Sequence, residues 1–241
     1  MPTTTVNATL QGRASFTYQA ALINWKTQVR DASSSTVTTT YTSANTVGAA
    51  IRTYVISSRG SMSGFCGRTF LFFDNLDTAT GGGTITAATL KVYNPGSSNA
   101  IDTVPVESTA WNAGTDTTLD AADYSLLDQS VTYSDTKLTW GGGYNDYTLN
   151  ATAVSAMNTD GYLNTAVIEG PHDQGNTNPT TGATSETATV RFLDATNKIK
   201  LELTYTLPGY GHDIIGVDSA NIVSVNGVAT ADIVSFIGVN A

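Results

Sequence analysis

The sequence predicts an all-β protein that folds as a two-layer sandwich. Its strongest segment, residues 68–74, reads Arg-Thr-Phe-Leu-Phe-Phe-Asp, with bulky apolar side chains at consecutive positions. In an extended chain Phe70 and Phe72 point to one face, and Leu71 and Phe73 point to the other. Each face then needs its own cover, as in the central strand of a layered β-structure. The composition agrees, because threonine and glycine are abundant and only 13% of the residues are charged.

Weaker alternating segments supply the remaining strands. Residues 199–207 alternate apolar and polar side chains, and we expect this strand to pair with 68–74 along a Greek-key or jelly-roll path. Pro105 has no N–H group to donate, so its strand is expected at a sheet edge. Residues 119–127 and 151–157 have the pattern of short helices. The other predicted strands are 51–56, 85–93, 101–106, 131–140, 145–149, 162–168 and 187–193, and 31–45 is either an edge strand or a loop.

The charge of the chain narrows the range of partners. Its net charge is −9 and its pI is near 4.4, so nucleic acid and anionic membranes would repel it. A surface that merely keeps the protein soluble is the simpler reason for this charge. No apolar run is long enough to span a membrane, and none follows Met1 as an export signal would. Cys66 is the single cysteine and is predicted to be a small buried side chain.

Five segments form an ordered series of strand motifs: 68–74, 85–93, 147–154, 190–192 and 200–206. The series contains a phenylalanine-rich strand ending in Phe-Asp, a strand reading Ile-x-x-Ala-x-Leu-x-Val-Tyr, and a late segment that leads into a short helix. This series resembles the DNRLRE domain family over residues 30–208. The resemblance implies a jelly roll similar to carbohydrate-binding modules, of a kind often attached to surface or extracellular proteins. It transfers no binding residue, because the shared motifs are hydrophobic strands.

The end of the chain contains an 11-residue repeat. Residues 216–226 and 227–237 share Gly, Val, Ala, Ile, Val and Ser at matching positions, and Gly238 opens a third copy. So few copies cannot bury their own apolar side chains, and we expect them to associate with another chain; a strand pair packed on its own domain is the alternative. Such repeats resemble short tails on structural proteins of tailed bacteriophages. The residues expected to mediate assembly are Val217, Ile222, Val225, Val228, Ile233, Phe236 and Val239.

These features divide the chain into three parts. An N-terminal β extension occupies residues 1–29, the jelly-roll domain 30–208, and the repeat tail 209–241. The tail predicts a homo-oligomer or association with other proteins of a particle.

Aromatic side chains are the candidates for glycan binding, because their rings stack on sugar rings when exposed. The loop from Trp140 to Tyr144, which contains three glycines, is the best candidate surface, although a tryptophan buried in the core is the alternative. The four candidate residues are Trp111, Trp140, Tyr144 and Tyr147.

A group of aspartates is the candidate metal site. Asp116, Asp120 and Asp123 follow Asn112 closely and supply the oxygen ligands that Ca²⁺ prefers. Their spacing is not that of an EF-hand, and the alternative is a capped short helix. No other cofactor is expected.

The sequence does not predict an enzyme. His172 lies between Glu169 and Asp173, but this segment reads as a polar surface loop. The function predicted first is a non-enzymatic structural or accessory protein of a virion, such as a capsid decoration, head or tail-fibre component. The alternative is a carbohydrate-binding adhesion module on a cell-surface or extracellular protein. Both hold if a particle uses the protein to touch glycans on a host surface.

Overall fold

A computed structural model describes residues 1–58, 60–96, 101–182 and 187–207, together with short strands in the tail. The described chain is mostly β, as predicted. The strands are β1 Thr3–Asn7, β2 Leu10–Ala20, β3 Val37–Thr40, β4 Asn45–Ser58, β5 Ser61–Phe73, β6 Thr84–Asn94, β7 Asp102–Ser108, β8 Leu127–Thr132, β9 Leu138–Thr139, β10 Gly143–Thr148, β11 Leu163–Glu169, β12 Thr187–Phe192, β13 Lys200–Thr206, β14 Ser224–Val225, β15 Val228–Ala229, β16 Ser235–Phe236 and β17 Val239–Asn240. The helices are α1 Leu76–Thr80 and α2 Ala151–Asp160, and single helical turns occur at Lys26–Arg30, Asn112–Gly114, Ala122–Ser125 and Gly170–Gln174.

Strand β5 lies at the centre of a nine-stranded antiparallel sheet, which confirms the central position predicted for 68–74. It pairs with β2 along nearly its whole length on one side. On the other side it pairs with β4 as far as Gly67 and with β11 from Thr69 onward. Arg68 therefore stands where one neighbouring strand leaves β5 and the next one arrives.

The position predicted for Pro105 at a sheet edge is wrong. Strand β7 pairs with β11 on one side and with β8 and β9 on the other. The carbonyl of Pro105 accepts a hydrogen bond from the Tyr133 N–H, at 2.8 Å, beyond the end of β8. In a strand, the N–H and C=O of one residue point to the same side. The missing N–H of proline therefore falls in the gap between β8 and β9. The strand predicted over 131–140 is interrupted by a turn in this gap.

The second sheet has four strands in the order β1, β13, β6 and β10. The predicted pairing of the 199–207 strand with the 68–74 strand is wrong, because β13 pairs with β1 and β6 in this sheet and β5 belongs to the other. Alternation shows that a strand has one buried face, but it does not show which sheet the strand joins. The first 29 residues form strands of their own, and these supply β1 to one sheet and β2 to the other.

Two separate cores cover the two faces of β5, as its alternation predicts. The first core lies between the sheets and includes Leu71 and Phe73 of β5 with Leu90 of β6. The second core lies on the opposite face of the nine-stranded sheet and includes Phe70 and Phe72. Its cover consists of loops and helical turns that contribute the buried side chains Trp25, Val29, Trp111, Leu119 and Tyr124.

The two predicted short helices are present. Helix α2 begins where the Asn150 side chain accepts a hydrogen bond from the Ala153 N–H, and it ends at Gly161, whose φ of 71° suits glycine. The 119–127 segment contains a single turn in front of which the Asp120 carboxylate accepts the Ala122 N–H, at 2.8 Å.

The tail contains two short hairpins. Strand β14 pairs with β15, and β16 pairs with β17. The pair Val225 and Val228 in the first hairpin corresponds to the pair Phe236 and Val239 in the second, 11 residues later in each strand. The period of the sequence repeat is thus also the spacing of the hairpins.

Candidate functional site

Three of the four aromatic residues predicted to stack on sugars are buried, which corrects that prediction. Trp111, Trp140 and Tyr147 expose 0%, 2% and 1% of their surface, whereas Tyr144 exposes 37%. In β10 alternate side chains point inward, so Tyr144 and Tyr147, three residues apart, lie on opposite faces. The Tyr147 hydroxyl shares a 2.6 Å hydrogen bond with Thr103, and burial raises the pKa of this tyrosine.

Tyr144 belongs to an exposed surface on the four-stranded sheet, called here the Tyr144 face: Tyr93, Tyr144, Lys91, Asp146, Lys200 and Glu202. The Tyr93 ring meets the Tyr144 ring edge-on, with centroids 5.2 Å apart, and Lys200 Nζ lies 5.2 Å from the Tyr144 centroid. Lys91 forms ion pairs with Asp146 at 3.2 Å and with Glu202 at 3.1 Å. The charged groups around these two rings are thus largely paired with one another.

The aspartates predicted to hold Ca²⁺ serve the local backbone instead. Asp116 accepts hydrogen bonds from the N–H and hydroxyl of Thr118, and Asp123 accepts the Asp120 N–H at 2.7 Å. Burial raises the pKa of Asp123, as do the nearby charges of Asp120 and Asp116. Within the described ranges, no group of three or more His, Cys, Asp or Glu side chains is arranged to hold a metal ion. These contacts therefore give no support to the predicted calcium site, which stays a prediction.

The segment around His172 is not a polar surface loop throughout, because Glu169 and Asp173 are buried. The Glu169 carboxylate accepts the N–H groups of His172 at 2.7 Å and of Asp173 at 2.8 Å, and so caps the helical turn that follows. Burial raises the pKa of Glu169 to about 7, although these two N–H groups oppose the shift. His172 Nδ1 lies 3.1 Å from the Thr177 hydroxyl.

Asp173 completes a buried polar centre, called here the Arg68 clasp: Arg68, Asp173 and the carbonyls of Arg30 and Tyr124. Arg68 donates from Nε and Nη2 to the two carboxylate oxygens of Asp173, at 2.8 and 2.7 Å. It also donates to the carbonyl of Tyr124 at 2.7 Å and to that of Arg30 at 2.9 Å. One guanidinium thus holds three loop segments over the second core.

The ionisable groups of the clasp keep the charges that this pairing requires. Burial alone would lower the pKa of Arg68, but the Asp173 carboxylate holds it well above its ordinary value. Burial raises the pKa of Tyr124 and that of Cys66, whose thiol lies 3.4 Å from Asp173. The sequence contained a signal for this centre, because Cys66, Arg68 and Phe70 alternate along β5 and must share a face.

A pocket of about 180 Å³ lies where β7 ends and β11 begins. This strand-end pocket is lined by Glu107, by Asp160 and by residues of the turn after β7. The C-terminal part of α2 closes one side. Its principal polar residues are Glu107, Tyr133, Asp160, Tyr162 and Asn164.

Acidic residues and the buried residue Asn164 border the strand-end pocket. Burial raises the pKa of the Tyr133 phenol, and the carboxylates of Glu107 and Asp160 raise it further. Asn164 is 6% exposed, and its Oδ1 has no hydrogen-bond partner among the described residues. No sequence pattern joined these residues, because they come from three separate segments of the chain.

The predicted assembly residues are only partly described. Val225, Val228, Phe236 and Val239 lie in the hairpin strands of the tail. Val217, Ile222 and Ile233 lie outside the described residues.

Membrane-spanning helices and similarity to known proteins were the remaining indications of the class of protein. No helix in the described part of the chain combines the length and apolar character needed to cross a membrane. No protein-family model matches the chain, and no curated protein matches it. The resemblance to the DNRLRE family therefore stays a prediction from strand motifs.

Proposed function

We propose that this protein is a non-enzymatic structural or accessory component of a virion, with a displayed β-sandwich and a tail that joins a larger assembly. The observation that carries the proposal is the recurrence of hairpins β14–β15 and β16–β17 at the 11-residue period of the sequence repeat. A unit that repeats in both sequence and backbone offers equivalent contacts to repeated neighbours. The resemblance of such repeats to tails of bacteriophage structural proteins supports placing that assembly in a virion.

The physical chemistry of the tail favours association. An isolated two-stranded hairpin is at best marginally stable in water, and the paired strands here have two residues each. The sequence from 214 to 239 is rich in valine and isoleucine and carries only two charged side chains, Asp218 and Asp232. Such a segment needs cover to remain soluble.

The sandwich supports a role in display. Its strand motifs resemble the DNRLRE family, and we propose that the two sheets form a jelly roll of that kind. The acidic groups near His172 are used within the fold, since Glu169 caps a turn and Asp173 binds Arg68. They therefore give no support to a catalytic role for this segment.

Light scattering on the full-length protein and on residues 1–207 tests the proposal. We expect the full-length chain to be oligomeric, or to associate with a particle, and the shortened chain to be a folded monomer. A full-length monomer, or a shortened chain with unchanged assembly, would contradict the proposal.

A matched pair of substitutions makes the test specific. Val228→Asp places a charge in a hairpin of the tail, and we expect it to weaken assembly. Leu22→Asp places the same charge at an apolar side chain that is 82% exposed on the sandwich, and we expect it to leave assembly unchanged. Equal effects of the two substitutions would point to general solubility and not to the tail.

A second candidate function is adhesion to glycans through the Tyr144 face, at a cell surface or on a particle. The observation that favours it is the exposed ring of Tyr144 beside that of Tyr93. Aromatic rings displayed on a sheet can stack on sugars. Affinity at such a small surface is expected to be weak, roughly micromolar to millimolar.

Titration with glycans selected on an array tests this candidate. Tyr144→Ala should abolish binding and leave the melting temperature nearly unchanged, whereas Tyr54→Ala, at a half-buried tyrosine of the other sheet, should retain binding. Trp140→Ala is unsuitable because Trp140 is a core residue. Binding that survives Tyr144→Ala would exclude this surface.

A further inference from the structure

We infer that the arginine–aromatic face, formed by Arg13, Arg52, Tyr54 and Phe65, binds the phosphate group of a small ligand. The inference rests on the sandwich alone and goes beyond the assembly proposed for the tail. Three features carry it. The strand register brings two arginines to one face, two aromatic rings hold their guanidinium groups, and the described protein leaves the donors of Arg13 unused.

The first feature is the position of the two arginines on the strands that flank β5. Arg13 of β2 lies opposite Thr69, and Arg52 of β4 lies opposite Gly67. Residues two apart in a strand share a face, and so do residues directly opposite each other in neighbouring strands. Both arginines therefore extend from the same face of the nine-stranded sheet. Burial lowers the pKa of Arg13, and the nearby charge of Arg52 lowers it further.

The second feature is the pair of rings beside these arginines. Tyr54 and Phe65 lie opposite each other and stack, with centroids 5.3 Å apart and planes 5° apart. Arg52 Cζ lies 4.5 Å from the centroid of Tyr54, and Arg13 Cζ lies 5.7 Å from that of Phe65. A guanidinium that stacks on a ring uses its flat face, and its N–H donors point outward in its own plane. The rings can thus hold both groups without occupying their donors.

The third feature is the set of unused donors on Arg13, a half-buried residue. Arg13 takes part in none of the ion pairs found among the described residues. Its Nε is enclosed without a hydrogen-bond partner, whereas Nη1 and Nη2, also without a partner in the described part of the chain, are open to solvent. A desolvated charge is costly unless it is paired, so an anion from solvent stabilises this group.

A phosphate group matches this face better than other ligands do. Guanidinium groups bind phosphate oxygens through parallel hydrogen bonds. Inorganic phosphate and phosphate monoesters carry about two negative charges at pH 8, as many as the two arginines balance. A carboxylate carries one charge, and a neutral sugar carries none. Nucleic acid and anionic membranes also contain phosphate, but the net charge of −9 repels such extended polyanions.

Calorimetric titration of the full-length protein with inorganic phosphate and with glucose 6-phosphate, at pH 8 and low ionic strength, tests the proposal. We expect a Kd on the order of 1 mM or tighter, weakened by added NaCl. The control ligands are glucose, which should not bind, and sodium acetate, which should bind about tenfold more weakly or not at all. Tighter binding of glucose 6-phosphate would identify a phosphate ester as the ligand, and tighter binding of inorganic phosphate would identify the free ion.

Variants locate the site. Arg13→Gln and Arg52→Gln each remove one guanidinium, and each should weaken phosphate binding about tenfold or more. Arg13→Lys keeps the charge but loses the planar pair of donors, so it should retain only part of the affinity. Arg191→Gln in β12 of the same sheet is the matched control, because Arg191 already pairs with Asp194 at 2.8 Å. It should bind phosphate as the wild type does.

The wild-type titrations decide the matter even if a variant fails to fold. Absence of binding by both phosphate ligands, or an affinity for acetate equal to that for phosphate, would overturn the proposal. Binding that both Arg13→Gln and Arg52→Gln retain would show that phosphate binds elsewhere. An equal loss in Arg191→Gln would show a general effect of charge and would also overturn it. A monomeric full-length protein that binds phosphate would contradict the assembly proposed for the tail and leave this inference intact.

Discussion

The two cores on either side of β5 differ in what covers them. The first core lies between two sheets, and its side chains are apolar over most of its extent. The second core is covered by loops and single helical turns, and a charged pair, Arg68 and Asp173, lies inside it. One strand therefore borders a regular apolar layer on one face and an irregular, partly polar layer on the other.

The difference shows what a loop cover demands. A sheet satisfies its backbone groups within its own ladder, but loops bring carbonyls that must find donors elsewhere. Arg68 supplies those donors to the carbonyls of Arg30 and Tyr124, while Asp173 neutralises its charge. The buried polar centre therefore supplies the hydrogen-bond donors that the irregular cover needs.

Alanine substitutions of two neighbouring phenylalanines of β5 compare how much each core contributes to the free energy of unfolding. Phe73→Ala opens a cavity between two sheets that cannot move together easily, and we expect a loss of about 4 to 5 kcal/mol in the free energy of unfolding. Phe72→Ala opens a cavity beneath loops, beside the Tyr162 ring, and the loops can partly fill it. We expect a loss of about 3 kcal/mol there.

Urea unfolding of the two variants measures the difference. A larger loss for Phe72→Ala than for Phe73→Ala would mean that the loop cover is as rigid as the sheet.

Removal of the carboxylate from the clasp breaks the polar centre of the second core. Asp173→Ala leaves the Arg68 guanidinium buried without its counter-ion, and we expect a loss of about 3 to 4 kcal/mol. The double variant Arg68→Met with Asp173→Leu removes both charges but leaves the carbonyls of Arg30 and Tyr124 without their donor. It should recover part of the loss and not all of it.

Chemical denaturation at neutral pH checks this expectation. Full recovery in the double variant would show that the hydrogen bonds to the two carbonyls contribute little.

The stability of the second core should also depend on pH, because Glu169 caps a turn in its cover. Its pKa is raised from 4.5 to about 7 in the folded protein. Between these values the folded state holds a proton that the unfolded state has lost, so stability falls as pH rises through this window. The fall contributed by Glu169 is at most about 3 kcal/mol, and Glu169→Gln should remove it.

Urea unfolding of wild type and Glu169→Gln between pH 4 and 8 gives the measurement, because the slope of stability against pH reports the difference in bound protons between the folded and unfolded states. Glu202→Gln on the four-stranded sheet is the control, because Lys91 holds the pKa of Glu202 below its ordinary value of 4.5. Its opposite slope lies below pH 4.5, so this substitution should leave the fall between pH 4.5 and 7 unchanged. Parallel curves for wild type and Glu169→Gln would contradict the assignment.

The alternation of apolar and polar residues predicted most strands. A strand with one buried face has an apolar side chain at every second position. Alternation also predicted both cores around β5 because Phe70 and Phe73 cannot share a face. Alternation did not predict the partners of β13 or the interior position of the strand that contains Pro105. Which strands pair, and where a neighbouring strand is interrupted, depends on segments that are distant in the sequence. A one-dimensional pattern contains no information on which neighbour a strand meets.

The candidate site was predicted less well. Of the four aromatic residues proposed for glycans, only Tyr144 lies on the surface, and the odd spacing from Tyr144 to Tyr147 already placed them on opposite faces. The strand-end pocket was missed because Glu107, Tyr133 and Asn164 meet only through the fold. The predicted roles of the tail and of the sandwich remain predictions.

The clasp also makes Cys66 a built-in reporter of local opening. It is the only cysteine in the chain, it is fully buried, and its thiol lies against Asp173. A thiol reagent can reach it only after the loops over the second core separate from the sheet. The rate of labelling therefore measures how often this cover lifts, separately from the global unfolding that denaturants report.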